Sequence, residues 1–161
     1  MVTSMLSPDL SITLSMWLTG THYYRCGLVV HTDIRRLQQI VPSLTTVYGW
    51  PVCSLGSVLS AALLPLLPAQ RSSATAAALA QALQPYGAGP ILCTDIDLLF
   101  EPALRLEPLR LLRDHSRQTT LVVLWPGAWV GSLLTYAVPA HAHYRAWNRT
   151  ELPLNAVIPL I

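Results

Sequence analysis

The sequence predicts an α/β fold: a mainly parallel sheet with helices on both faces. Three observations carry this expectation. Short apolar runs at residues 24–30, 91–95 and 119–125 alternate with helix-like segments at 34–41, 72–84 and 106–116, the order that builds strand–helix–strand units. The runs are almost continuously apolar, as expected of strands covered on both faces. The run at 91–95 ends in Asp95, with Asp97 two residues on, and open α/β sheets bind ligands beyond the carboxyl ends of their strands.

Each element has its own local reason. Ser7-Pro8-Asp9 places a cap, a proline at the first helical position and an acid in the first turn, so a helix is expected over 7–18. The strand at 24–30 is broken by His31-Thr32-Asp33. A helix over 34–41 follows and stops before Pro42, with Thr32 as its cap and Asp33 at its positive end. The next strand is either 45–48 or 52–54, with Gly49-Trp50-Pro51 as a turn. A buried helix at 57–64 is closed by Pro65 and Pro68. Residues 72–84 are Ala-rich and helical, and 85–90 form a Pro/Gly loop. The helix at 106–116 and the strand at 119–125 follow the acidic pair, and Pro126-Gly127 ends that strand. A further strand is expected at 132–138 and a short helix at 141–147; the tail from 152 is an edge strand or a docking peptide. This divides the chain into a helical extension (1–20), an α/β domain (21–150) and a tail (151–161).

Composition bounds the function. A chain of 161 residues suits one domain that buries roughly 70% of its unfolded surface. Charged residues are 11%, well below the ~25% typical of soluble proteins, and mean hydropathy is +0.44. Such a chain has a doubly covered core, hides surface against partners or touches a membrane. The net charge of +2 is too small to argue for nucleic acid by itself. Cys26, Cys53 and Cys93 lie far apart in apolar runs, which suits reduced core thiols in a cytoplasm. The first twenty residues hold no Lys or Arg, so the basic start of a secretory signal is missing. Residues 37–70 carry no charge, but the most apolar part, 52–67, contains Ser54, Gly56, Ser57, Ser60 and Pro65 and is short for a membrane span of about 20 residues. No membrane partner is expected; a membrane-associated protein stands as an alternative.

The acidic pair suits a nucleotide site. In a P-loop fold the acid ending the third strand holds magnesium, and a nearby acid polarises the attacking water. Asp95 fits the metal role and Asp97 the catalytic one; capping or surface roles fit either residue equally well. The opposite half of such a site is missing. All 10 basic residues are arginines, so the phosphate-loop lysine is absent. The turn from His31 to Arg36 has no glycine, which the curl of backbone around phosphate needs. Ile34 resists a positive φ, and Asp33 repels phosphate. Thr32 and Arg35 are the groups left for weak anion contact at the helix start. Arg35 and Arg36 supply charge without the lysine's geometry. On the residues alone, no cofactor is expected.

Arg110, Arg113 and Arg117 fall at i, i+3 and i+7. They form a solvated helix face, or else contact DNA phosphates or a neighbouring subunit's nucleotide, with Arg117 the better placed for the latter. His141 and His143 suit a polar loop.

The blocks Ile91-Leu92-Cys93-Thr94-Asp95-Ile96-Asp97-Leu98-Leu99-Phe100-Glu101-Pro102, Leu106-Glu107-Pro108-Leu109-Arg110-Leu111-Leu112, Trp125-Pro126-Gly127 and Leu134-Thr135-Tyr136-Ala137 together resemble BrxF, the small P-loop protein family of type-3 bacteriophage-exclusion (BREX) systems. The resemblance covers roughly residues 23–147. It implies a P-loop NTPase-like fold, ATP and magnesium as ligands, a cytoplasmic location and a role in antiphage defence. The partners it implies are the other subunits of the defence complex, including a methyltransferase and large ATPases, in an oligomer that meets DNA indirectly. Asp95 matches the family's magnesium-side acid and Asp97 the acid after it; nothing at 31–38 matches the phosphate loop. The expectation is a degenerate accessory subunit that does not hydrolyse ATP. The alternative is a divergent ATPase using Asp95 and Asp97.

Overall fold

Apolar residues fill each central strand without alternation, so each strand needs cover on both sides. The chain meets that need with five parallel strands between two helical layers. A computed structural model describes residues 6–148 and 152–160. In chain order it has α1 (Pro8–Thr19), β1 (Cys26–His31), α2 (Ile34–Tyr48), β2 (Val52–Ser54), α3 (Leu55–Leu63), α4 (Pro68–Leu83) and β3 (Ile91–Thr94). Then come α5 (Pro108–His115), β4 (Leu121–Pro126), β5 (Trp129–Val130), β6 (Leu133–Tyr136), β7 (Arg145–Trp147) and β8 (Val157–Pro159).

The main sheet has the order β2-β3-β4-β1-β8, with every pair parallel. The central strands β1, β3 and β4 are buried almost end to end. The connection leaving β1 crosses to the far edge at β2, whereas the one leaving β4 passes over β1 to β8. The sheet therefore changes winding direction between β4 and β1, where such folds open a crevice. Right-handed crossovers put α2 on one face and α3–α5 on the other. Contacts agree: Ser11 of α1 meets Tyr48 of α2, and His115 of α5 meets Ala76 of α4. Gly27 of β1 is needed because a Cβ there would meet the Trp17 ring at 2.9 Å.

The tail resolves as an edge strand. Ile158 pairs with Val29, and the Leu160 amide donates to the Val30 carbonyl at 2.8 Å. Pro159, with no N–H, breaks the donor row of this strand.

Several expectations are corrected. Pro42 does not stop α2, which continues through it to Tyr48 and ends at Gly49 in the left-handed region, φ 69°. Leu37 and Leu44, buried on one face, hold the helix against the sheet across the proline, so tertiary packing overrides the local signal. The strand option at 45–48 fails for the same reason, and 52–54 is the strand. Asp33 rather than Thr32 caps α2. Pro68 opens α4 at its first turn instead of closing α3. The strand expected at 132–138 exists as β6, but in a separate antiparallel sheet, β5-β6-β7. No helix forms at 141–147: His141–Tyr144 turn, and β7 follows, paired with β6.

The three thiols lie inside the core. Burial pushes the Cys26 thiol up to about 12 and the Cys93 thiol well above its ordinary value. The segment 52–67 becomes β2, α3 and a turn, and among the described residues no helix is long and apolar enough to cross a membrane.

Candidate functional site: the carboxyl edge of the sheet

The edge where β1, β3 and β4 end carries the acidic pair on one side and the turn from β1 to α2 on the other. On the acidic side, β3 ends at Thr94 and Asp95 follows at once. Asp95 is in the left-handed region, φ 54° and ψ 52°, which Asp tolerates better than most residues. The turn is enforced by close packing: Gly56 of α3 lies so near that a Cβ there would meet the Asp95 carbonyl oxygen at 2.9 Å. The Asp95 carboxylate accepts the Ser54 hydroxyl at 2.6 Å. Ser54 in turn caps α3, accepting the Ser57 amide. The second residue of the pair is held differently. Asp97 stands in a 3₁₀ turn, Ile96–Phe100, anchored by buried Ile96, Leu99 and Phe100. Its Oδ1 accepts the Tyr136 hydroxyl at 2.6 Å. Burial, then the bond to Asp97 and its charge, push the Tyr136 phenol far above its ordinary value, so this hydroxyl stays a donor.

Tyr136 reaches Asp97 because the antiparallel sheet is fastened to the end of β4. The Trp125 indole donates to the Thr135 carbonyl at 2.8 Å. The Thr135 hydroxyl accepts the Ala128 amide at 3.0 Å, and Gly127 leaves no room for a Cβ beside the Thr135 carbonyl. Phe100 stacks on Tyr136 with ring centroids 3.6 Å apart and meets Trp125 and Trp147 edge-on. Trp-Pro-Gly and Leu-Thr-Tyr-Ala are thus two sides of one joint. Ten residues separate Trp125 from Thr135, and the local signal for their joining is slight: a tryptophan two residues before Gly127 in one motif and Tyr136 beside Thr135 in the other.

On the opposite side, the turn from β1 to α2 is closed upon itself. The Asp33 amide donates to His31 Nδ1 at 2.8 Å, and the Arg35 amide donates to Asp33 Oδ1 at 2.9 Å. The Arg36 and Leu37 amides turn back to the Asp33 carbonyl. A helix N-terminus attracts an anion through free amides and its dipole; here the chain's own carboxylate takes that place. Thr32 and Arg35 are exposed beside it. The hollow between α2 and the acids, lined by Leu37, Gln38, Thr94, Asp95, Asp97 and Pro126, holds about 40 Å³. That is room for a water or two, against the ~300 Å³ or more of a small-molecule site.

ATP and magnesium therefore do not fit these residues. Magnesium is usually held by one or two carboxylates together with substrate phosphates. Here no phosphate cradle faces Asp95 and Asp97: the turn after β1 has no glycine and its helix end is taken by the Asp33 carboxylate.

The arginine row breaks up. Arg110 is exposed on α5, Arg113 is buried, and Arg117 lies beyond the end of the helix. Arg113 stacks on Tyr24 and Arg117 on Tyr23, both at the amino edge of the sheet. The i, i+3, i+7 spacing assumed a helix that in fact stops at His115. His141 and His143 lie together in a turn, ring centroids 5.6 Å apart.

No protein-family model, no curated protein and no solved structure matches this chain.

Proposed function

We propose that this chain is a P-loop-like accessory subunit that works through assembly and does not hydrolyse ATP, and that its complex is a bacteriophage-exclusion (BREX-type) defence system. One observation carries the non-hydrolysing reading: the Asp33 carboxylate seated on the start of α2. A carboxylate there repels triphosphate and occupies the amide that a phosphate oxygen would use. The P-loop-like reading is supported by Asp95 directly following the third strand of a parallel sheet, on the same edge as the turn after the first strand. The defence reading rests on the resemblance to BrxF, whose most distinctive blocks are the ones that build the Trp125–Thr135–Tyr136 joint. Acids and a joint that match the family's blocks, beside a closed helix end, fit a subunit that works through shape rather than turnover.

Isothermal titration of the full chain with ATP and magnesium tests the first part. The expected result is no binding at millimolar ATP and no phosphate release. Glycine replaces a capping Asp at a cost of only a few tenths of a kcal/mol, so Asp33→Gly keeps the fold, frees the helix end and gains anion binding. Wild-type binding that is lost in Asp95→Ala would instead favour the divergent ATPase, and phosphate release lost in the same variant would establish it. Co-expression with the other subunits of such a system tests the second part: the chain is expected to co-purify with them, and a chain that stays alone counts against it.

A further inference from the structure

The amino edge of the main sheet, opposite the acids, carries a feature that the reading above does not use. Tyr23, Tyr24 and Arg25 lead into β1. Arg117 lies over the Tyr23 ring at 4.8 Å, the Tyr23 and Tyr24 rings meet edge to face at 4.8 Å, and Arg113 lies over Tyr24 at 5.1 Å. The four side chains form a ladder of guanidinium, ring, ring and guanidinium. Arg25 joins it by donating to the Gln118 carbonyl at 3.3 Å. The inner half, Tyr24 and Arg113, is packed in, while Arg117 is exposed and Tyr23 is 65% exposed. An outward tyrosine held in place by neighbours on both sides is a rigid stacking surface that needs no ordering when a flat ligand arrives.

Acids are sparse at this edge, although arginines lie at both edges, with Arg35, Arg36 and Arg105 on the carboxyl side. Arg25, Arg113 and Arg117 gather at this edge, with Asp114 the single described acid among them. The other described acids, Asp9, Asp33, Asp95, Asp97, Glu101 and Glu107, lie in connections at the carboxyl edge or at the start of helices that run away from it. Gln118 also lines a groove of about 710 Å³ between the C-terminal ends of α4 and α5, with Gln81, Gln84, Asp114, His115 and Thr119. Side-chain amides there present donors and acceptors together, the pattern that reads the edges of unpaired bases.

We propose that this edge binds single-stranded nucleic acid: a base stacks on Tyr23, Arg25 and Arg117 meet the flanking phosphates, and the glutamine-lined groove receives a neighbouring base. An exposed Arg117, a half-buried Arg25 and a ring that stays 65% exposed although Arg117 lies over it suit an unpaired strand, whose bases are free to stack. These two arginines are too few to track the backbone of a duplex. An acidic peptide would satisfy the arginines but leave the ring and the amide groove unused. The proposal stands apart from the reading of the carboxyl edge, since the two sites lie at opposite ends of the strands and share no residue.

Fluorescence anisotropy of the full chain with labelled 15-mers, oligo-dT, oligo-rU and a duplex of the same length, tests it. Both single strands are expected to bind at low salt at least about tenfold tighter than duplex; a preference between them identifies the natural strand as DNA or RNA. Two phosphate contacts give a slope of log K against log salt of about −1.4, and Arg117→Ala lowers its magnitude by about 0.7. Tyr23→Ala is expected to weaken binding roughly tenfold or more, Tyr23→Phe to retain it, and Arg105→Gln, a charge removed from the far side, to leave it unchanged. No single-strand binding at low salt overturns the proposal. So do equal binding of duplex, a Tyr23→Ala protein that binds like wild type, and an Arg105→Gln effect as large as that of Arg117→Ala.

Discussion

A single side chain decides the chemistry of the carboxyl edge. Asp33 is an ordinary helix cap, yet by capping it closes the anion site that the same helix end would otherwise offer. Asp95 and Asp97 differ in what holds them, and this yields separate expectations. The backbone at Asp95 is left-handed, so Asp95→Asn is expected to be nearly neutral. Asp95→Val, β-branched at a positive φ, is expected to cost about 1–2 kcal/mol in a urea-unfolding comparison. Removing the Tyr136 hydroxyl by Tyr136→Phe loses one charge-assisted bond, about 1.5–3 kcal/mol. The raised Tyr136 phenol and Cys26 thiol also set a pH window. Both groups are kept protonated by the fold, so their contribution is complete below the ordinary values of 9.0 for the thiol and 10.0 for the phenol. It is lost as pH rises toward the folded value, about 12 for Cys26. Stability measured between pH 8 and 11 is expected to fall from roughly pH 9 upward, with a shallower fall in Cys26→Ala and in Tyr136→Phe. Stability that stays flat across that interval would refute the account.

At the scale of elements, α2 and the antiparallel sheet show packing overruling local signals. Pro42 sits inside α2, where it removes a backbone donor and crowds the preceding turn. Buried Leu37 and Leu44 keep the helix together on either side. Pro42→Ala restores the missing bond and is expected to stabilise by about 1–3 kcal/mol, read as a rise in the calorimetric midpoint; a fall would mean that the proline ring itself is needed by the contacts of α2. The three short strands β5, β6 and β7 lack a core of their own, since two- or three-stranded ribbons this short are marginal alone. They are fixed by Trp125, Phe100, Tyr136 and Trp147. Gly127→Ala forces a Cβ into the Thr135 carbonyl. The expected cost is about 1–3 kcal/mol, together with loss of near-ultraviolet circular dichroism from the displaced indole. An unchanged aromatic spectrum would show that the joint is looser than drawn.

For the whole molecule, strand order separates two edges of different character. The carboxyl edge holds the acids and a closed cradle, and the amino edge holds the exposed arginine–tyrosine ladder. The tail completes the sheet between them: β8 covers the open side of β1, and α1 packs on β8 through the side that carries Leu10 and Leu14. Deleting residues 152–161 is therefore expected to unpair a fully buried strand and abolish cooperative unfolding, as seen in a thermal melt, rather than trim a dispensable peptide. The outer side of α1, with Ile12 and Met16 more than half exposed, accounts for part of the high hydropathy of the chain.

The alternation of apolar runs with helical segments was sufficient to predict the parallel sheet, because a strand buried on both faces admits few polar residues. The position of Asp95 at a strand end, the missing lysine and the cap at Ser7 were legible for similar reasons: each depends on neighbours within a few positions. The joint between Trp125 and Thr135, the reach of Tyr136 to Asp97, the passage of α2 through Pro42 and the inward turn of Arg113 were not. Each depends on a contact with an element distant in the chain or on where a helix happens to end. Local sequence specifies what a segment prefers, but which side chains meet is settled by the strand order, and that order emerges only when every apolar face is covered at once.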